Sequence, residues 1–276
     1  MKIWQIDFYY FPWLNTKEQK QWKLLICDRD GSLVYEAECL QAQANADWLI
    51  EQIQQAAKKK LPDKIQVFRP QALGLLSMAA EKLGIDIEST RRTSALKEEL
   101  NKQARQYGQQ LPNYNPLALD KPPPQPLPED LWGEQWNFAS IAAGELEETF
   151  GDRPIPVIDL PESLLPLNLG ISSAITVPGI VIYGGRKSLQ IVRWLQQQQP
   201  VALNYIPTEV GKSGGLVLEV GLVDRWVFAT FEDEAVAKAA RNYEQSKQQS
   251  QGLHFLLVQP DDSGMTYTGF WLLRDE

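Results

Sequence analysis

Asp7 stands in the first apolar run of the chain, Ile3-Trp4-Gln5-Ile6-Asp7. A carboxylate there can do one kind of chemistry: with two or three further acids it holds divalent metal ions for phosphodiester hydrolysis. Asp47 or Glu51 could supply a second ligand from the first helix. The position that should supply another, at the end of the fourth strand, reads Val67-Phe68-Arg69-Pro70. An arginine repels the metal that a carboxylate would bind, so a metal-dependent nuclease is only an alternative reading. His254 is the single histidine, and the run Leu253-His254-Phe255-Leu256-Leu257 favours a core position over a Ser-His-Asp or Cys-His role. One His and two Cys are too few strong ligands for a zinc site.

Gly211-Lys212-Ser213-Gly214-Gly215 imitates a phosphate-binding loop, but the required earlier glycine is Ile206 and a strand follows in place of a helix. Tyr183-Gly184-Gly185-Arg186 precedes a helix and is a weak anion-site candidate, with a plain strand-to-helix turn as the expected outcome.

Cations and rings suggest more. Lys58, Lys59 and Lys60 close the first helix, Arg69 ends a strand, and Arg91 and Arg92 follow the last strand of the first half. Arginine pairs bidentately with phosphate and stacks on bases, so these six residues are the RNA-contact candidates. The bland reading pairs the arginines with Asp86, Glu88 or Glu98 and leaves the lysines as a solvated helix end. Aromatics are dense in Tyr9-Tyr10-Phe11-Pro12-Trp13, at Trp132 and Trp136, and in Phe270-Trp271. Where exposed, such rings are stacking platforms for single strands.

Composition limits these options. The 276 residues carry a formal charge of −8, which excludes a non-specific polyanion binder. The charge is uneven. Residues 1–108 hold 16 Lys and Arg against 14 Asp and Glu, a balance of +2, while residues 109–276 stand at −10. Polyanion affinity should therefore sit on the first half. Cys27 and Cys39 cannot form a disulfide framework and fit two buried thiols in a reducing cytosol. No secretory signal opens the chain, and the most apolar stretch, 164–183, is broken by polar residues and Pro178, so no membrane span is expected.

The elements that position these groups follow from periodicity. Strands are expected at 3–11, 23–28 and 33–39, then a helix capped by Asn45 and running to about Lys59, a strand at 64–69, a helix at 71–83 closed by Gly84, a strand at 85–89 and a helix at 94–107. A meander followed by crossover helices and further strands is the order of the ribonuclease H-like fold. Prolines 112, 116, 122, 123, 124, 126 and 128 mark a semi-rigid linker. Beyond it, strands are expected at 173–183, 201–206, 215–224, 225–231, 253–259 and 265–273, with helices at 187–198 and 233–247. The expected architecture is α/β with mixed sheets: a ribonuclease H-like domain without catalytic acids at 1–108, a proline-rich linker at 109–130, and a second α/β domain at 131–276.

Several stretches carry a family likeness: Ile3-Trp4-Gln5-Ile6-Asp7-Phe8-Tyr9, Phe68-Arg69-Pro70-Gln71, Thr90-Arg91-Arg92-Thr93, Leu131-Trp132-Gly133-Glu134-Gln135-Trp136 and the terminal Trp271-Leu272-Leu273. The chain resembles, over nearly its whole length, the Tab-two-like family of cyanobacteria and chloroplasts. The resemblance implies a non-enzymatic, cofactor-free RNA-binding protein. Its partner would be the A/U-rich 5′ untranslated region of a photosystem I mRNA. It would promote translation and assembly of photosystem I components, with photosystem II as an extension. Translation or assembly proteins are further partners. It also implies a cytoplasmic, cyanobacterial setting, with the chloroplast stroma for plant relatives. The family's Trp-Leu-Leu tripeptide maps onto Trp271, Leu272 and Leu273. With Tyr10 and Trp13 these are candidates for base stacking or partner contact, and the acidic second half together with an apolar end that could dock on a partner is the basis of the alternative scaffold reading in photosystem biogenesis.

Overall fold

β1 (Ile3–Leu14) is buried on both faces from Ile3 to Tyr9, and a strand covered twice must be central. The structure, a computed structural model, describes residues 1–14, 19–107, 114–209 and 212–275, without the side chains of 12–14, 106 and 107. Two units make up the chain, Met1–Asp120 and Lys121–Glu276.

In the first unit β1 is followed by β2 (Lys20–Asp28), β3 (Leu33–Leu40), α1 (Ala46–Ala57), β4 (Lys64–Val67), α2 (Pro70–Leu83), β5 (Asp86–Ser89) and α3 (Ser94–Tyr107). The sheet order is β3-β2-β1-β4-β5, with β1, β2 and β3 antiparallel and β4 and β5 parallel to β1. That arrangement is the ribonuclease H-like topology expected from the element order. Local chemistry sets the helix ends. Asn45 Oδ1 accepts the Trp48 N–H at 2.9 Å, Pro70 opens α2 where no donor is needed, and Gly84 closes it at φ +66°.

The pleat sorts β1 between two cores. Trp4, Ile6 and Phe8 pack with Leu49, Ile53 and Leu76 of α1 and α2, while Tyr9 packs with Leu25, Cys27 and the α3 residues Leu96 and Leu100. Each fully buried Leu or Ile there contributes about 1.5–3 kcal/mol. Cys27 lies in the α3-side core and Cys39 in the other, so the two thiols face opposite sides of the sheet. Burial pushes them up to about 12 and about 11.

The second unit holds β6 (Gln125–Pro126), β7 (Gln135–Ala142), α4 (Leu146–Phe150), β8 (Val157–Asp159), β9 (Thr176–Tyr183), α5 (Ser188–Gln198), β10 (Pro200–Glu209), β11 (Ser213–Val220), β12 (Asp224–Phe231), α6 (Glu234–Gln249), β13 (Leu253–Gln259) and β14 (Gly269–Arg274). They form two sheets, β10-β11-β12-β6 and β7-β9-β13-β14-β8. The proline-dense stretch thus includes an edge strand: Gln125 and Pro126 pair with Trp226 and Val227 of β12, a site where proline's missing N–H is tolerated. β6, β7, β8 and α4 were absent from the sequence expectation.

A buried polar cluster seals the free edge of β10. The Leu203 N–H donates to His254 Nε2 at 2.9 Å, the Leu203 carbonyl accepts from Tyr243 Oη at 2.9 Å and Lys247 Nζ at 3.2 Å, and the Tyr205 N–H donates to Glu244 at 2.7 Å. Because Nε2 accepts, the ring proton sits on Nδ1 and donates to the Gly252 carbonyl at 2.8 Å. The histidine is therefore a buried acceptor, as its apolar sequence context suggested.

Burial, and then the Lys247 ammonium, lower the His254 pKa from 6.5 to about 3. The unfolded chain takes up a proton below 6.5 that the folded chain refuses until about 3, so the stability this site provides is present above pH 6.5 and lost toward pH 3. Comparing denaturant unfolding at pH 7.5 and pH 5, His254→Gln is expected to lose up to about 2 kcal/mol less stability than wild type. Equal losses in the two proteins would show that this histidine does not set the acid response.

Candidate nucleic-acid interface

Asp7, in mid-β1 just past the stretch paired with β4, meets Arg69 beyond the C-terminal end of β4. Asp7 is fully buried on the α3 side of β1, and Arg69, one residue before α2, donates its Nε–H to both carboxylate oxygens at 3.0 Å. Burial raises the Asp7 pKa to about 6, and the Arg69 guanidinium opposes that rise. The remaining guanidinium nitrogens reach backbone carbonyls: Nη2 donates to Pro116 at 2.8 Å and Nη1 to Ala118 at 3.4 Å. The guanidinium also lies 5.0 Å from the Phe68 ring and 5.5 Å from that of Tyr9.

Arg69 is thus a correction to its expected role. Its charge is answered by Asp7 and its donors by carbonyls, so it holds the edge together and is not a ready phosphate clamp. Nor is its partner Asp86, Glu88 or Glu98; Glu88 takes Gln66 Nε2 at 3.1 Å and Lys64 at 3.5 Å. The same geometry removes Asp7 from metal chemistry, since both its oxygens accept from a cation. Among the described residues no group of three His, Cys, Asp or Glu could hold a metal ion.

Beside this pair lies a cleft of about 280 Å³, lined by Tyr9, Tyr10, Trp22, Arg69, Gln71, Tyr114 and Asn115 among others. Tyr10 is 43% exposed, so its ring is available to a ligand. Trp13 belongs to β1, but its side chain lies outside the described residues.

Arg91 and Arg92 follow β5 at the same sheet edge, Arg92 exposed and Arg91 half-buried. Their loop is fixed by Gln5, a buried residue that sequence reasoning passed over. Its Oε1 accepts the Leu96 N–H at 3.0 Å at the start of α3, and its Nε2 donates to the Arg92 carbonyl at 3.4 Å and to Gln66 Oε1 at 3.2 Å. An uncharged polar residue amid strand hydrophobics was the available signal.

Lys58, Lys59 and Lys60 do not join them. They are exposed on the loop between α1 and β4, at the opposite end of β4 from Arg69, so the strand's four residues, roughly 13 Å, intervene. Lys60 lies 3.8 Å from Asp63. The six candidate cations are divided between two ends of the sheet, because a strand that starts after the lysines must finish before the arginine, and the lysines are the solvated segment of the plainer reading.

Trp271, Leu272 and Leu273 are 2%, 0% and 1% exposed. β14 lies between β13 and β8, and the pleat sends Trp271 and Leu273 into one core and Leu272 into the other. The tripeptide is interior packing, which withdraws it as a stacking or partner contact and leaves the scaffold reading only the acidic second half. At Gly184-Gly185 the backbone donors are already used: the Gly184 N–H by the Gln259 carbonyl at 2.9 Å and that of Gly185 by Pro260 at 3.0 Å. That segment is a plain turn. Of the phosphate-loop imitation, Gly211 lies outside the described residues, and Ser213 begins β11 as the sequence required.

Strand order and an arginine-neutralised acid define a class: a two-unit α/β protein whose first unit keeps a ribonuclease H-like frame without its metal-binding acids. Two family models cover the chain, "RNA-binding protein Tab2/Atab2 N terminal" over residues 3–103 and "RNA-binding protein Tab2/Atab2, C-terminal domain" over residues 114–274. The chain belongs to the Tab2/Atab2 family. The Arabidopsis thaliana chloroplastic TAB2 homolog is 30% identical over all of this chain and 75% of its own length, and that of Zea mays 28% over all of this chain and 72% of its own. Among solved structures, the HTLV-2 integrase catalytic core in its trimeric, magnesium-bound form has a TM-score of 0.28 at 14% identity, covering 41% of this chain and 76% of that one. The catalytic domain of the Mos1 mariner transposase has 0.28 at 12%, covering 41% and 61%. The fold assignment stands on strand order alone. No helix among the described residues is long and apolar enough to cross a membrane.

Removing one partner of a buried pair strands the other's charge. Arg69→Met is expected to destabilise the protein by about 3–5 kcal/mol, and the double replacement Asp7→Asn with Arg69→Met to recover most of that loss. Additive losses in a double-mutant cycle would show that the two side chains do not act as a pair.

Proposed function

We propose that the protein binds single-stranded RNA without catalysing its cleavage, holding an unstacked base in the aromatic cleft beside Arg69. The observation that carries this reading is the cleft itself. Exposed Tyr10, together with Trp22 and Tyr114, offers ring faces, while Gln71 and Asn115 offer amide donors and acceptors for a base edge. Arg91 and Arg92, on the Gln5-anchored loop at the same sheet edge, are the backbone contacts. Membership of a family described as RNA-binding supports the ligand class. A non-catalytic role is supported by the Asp7–Arg69 pair, which leaves neither oxygen of Asp7 for a metal.

The finer reading follows the family resemblance: the RNA is an A/U-rich 5′ leader, and binding promotes translation of photosystem I components. Cytosol in a cyanobacterium, or stroma in a chloroplast, is the matching compartment; the two plant relatives are both named chloroplastic.

Electrophoretic mobility shift with A/U-rich and G/C-rich single strands tests the reading. Tyr10→Ala is expected to weaken binding by about 1–3 kcal/mol, the worth of one stacked base, and Arg91→Ala with Arg92→Ala to weaken it roughly fivefold. No RNA should be cut in Mg²⁺ or Mn²⁺. Unchanged affinity in both variants would remove this edge as the binding site, and cleavage that disappears in Asp7→Asn would make the protein a nuclease.

A further inference from the structure

The second unit carries a second arginine-bearing surface, where the balance of −10 over residues 109–276 gave no reason to look. A groove of about 640 Å³ runs along α5, bounded by Arg186, Leu189, Arg193 and Trp194 from the helix side and by Pro128 and Leu131 from the segment before β7. Arg186, in the turn that leads into α5, and Arg193, within α5, both line the groove. Both are exposed, and neither has an acidic partner within ion-pair distance among the described residues. Lys187 is exposed beside them. The acid that lines the groove, Asp130, accepts Gln190 Nε2 at 2.9 Å.

Trp132 directly follows Leu131 and is 54% exposed, unusual for a residue that normally buries its ring. Its Nε1–H donates to the Leu127 carbonyl at 3.0 Å. The indole's only donor is thereby used internally, its orientation is fixed, and ring area is what it presents outward. Two exposed guanidiniums along one groove and a fixed aromatic plane match a chain that alternates phosphates with flat bases. An acidic peptide would satisfy only the cations.

We infer that this groove is a second contact surface for single-stranded RNA, with phosphates on Arg186 and Arg193 and a base stacked on Trp132. The inference rests on the RNA-binding reading given above but uses none of its residues.

The test uses the full chain and a labelled A/U-rich single-stranded oligonucleotide, titrated across a range of salt concentrations. Replacing Arg186 and Arg193 together with Ala is expected to lower affinity roughly tenfold and to reduce the slope of log K against log salt by about 1.4, because each phosphate contact on a single strand contributes about 0.7. Trp132→Ala should lower affinity with the slope intact, since stacking releases no counterions. Both side-chain sets are exposed, so the circular dichroism spectrum and melting temperature should match wild type. Wild-type binding together with unchanged affinity and slope in the arginine variant overturns the groove and leaves the cleft reading standing. Weaker binding with an unchanged slope overturns it too, because the arginines would then act through the fold. A wild-type chain that does not bind the oligonucleotide at low salt overturns both readings at once.

Discussion

A carboxylate shut away from water must find a positive partner, and in the first unit this requirement is met by Arg69 reaching back to Asp7 across 62 residues of sequence. Dehydrating each ion costs several kcal/mol, which the attraction between them repays only when the geometry is good and the other donors are satisfied. Both conditions hold, since Nε meets the carboxylate while Nη1 and Nη2 meet the carbonyls of Ala118 and Pro116. Much follows. The guanidinium cannot turn outward, the segment 114–118 is tied to the sheet edge, and Tyr114 and Asn115 thereby become a wall of the aromatic cleft. Where a nuclease would concentrate acids on metal ions, this edge presents rings and amides over a neutralised floor.

The second unit solves a related problem with a mixed set of neutral and charged side chains. An edge strand exposes unpaired backbone groups to whatever chain comes near. At Leu203 and Tyr205 of β10 those groups are taken by His254, Tyr243, Glu244 and Lys247, so this part of the edge is covered by side chains of α6 and β13. The only histidine in the chain works here as an acceptor held neutral by burial, and proton chemistry is denied to it for the same reason. Gln5 plays a comparable part in the first unit, where one buried amide fixes both the start of α3 and the loop of Arg91 and Arg92. Buried polar side chains in both units position backbone, and the surfaces they position are where ligands can meet the protein.

How much of this could be read from the sequence follows the range of the interactions. Local rules gave the Asn45 cap, the Gly84 stop and the alternating apolar strands of the first unit, and from their order the ribonuclease H-like frame. They missed β7, whose burial alternates only weakly along Gln135–Ala142, and β8, three residues flanked by prolines and bends, because such segments depend on their neighbours for pairing. At the site, the residues that could do chemistry were legible one at a time, while their pairings were not. Asp7 and Arg69 were each singled out, yet nothing local to either says that they meet. Trp271-Leu272-Leu273 was legible as strand, yet nothing local says where in a sheet a strand lies, and β14 is an interior one that leaves the tripeptide no exposed face.

An acidic protein that binds RNA works under a constraint that a basic one escapes. With a formal charge of −8 the long-range field repels the ligand, so affinity has to come from contacts made within a Debye length, where a guanidinium or a ring acts before the surrounding acids are felt. Such contacts are few, and each must be held in place beforehand, since a flexible arginine would sooner fold back on a neighbouring carboxylate. On the proposed reading this is where internal hydrogen bonds matter: Gln5 fixes the backbone at Arg92, and the Leu127 carbonyl fixes the Trp132 indole. Under the proposed reading the repulsive background would also favour unpaired strands: duplexes and structured RNA bring phosphates without accessible base faces, so the field opposes them without the stacking that offsets it.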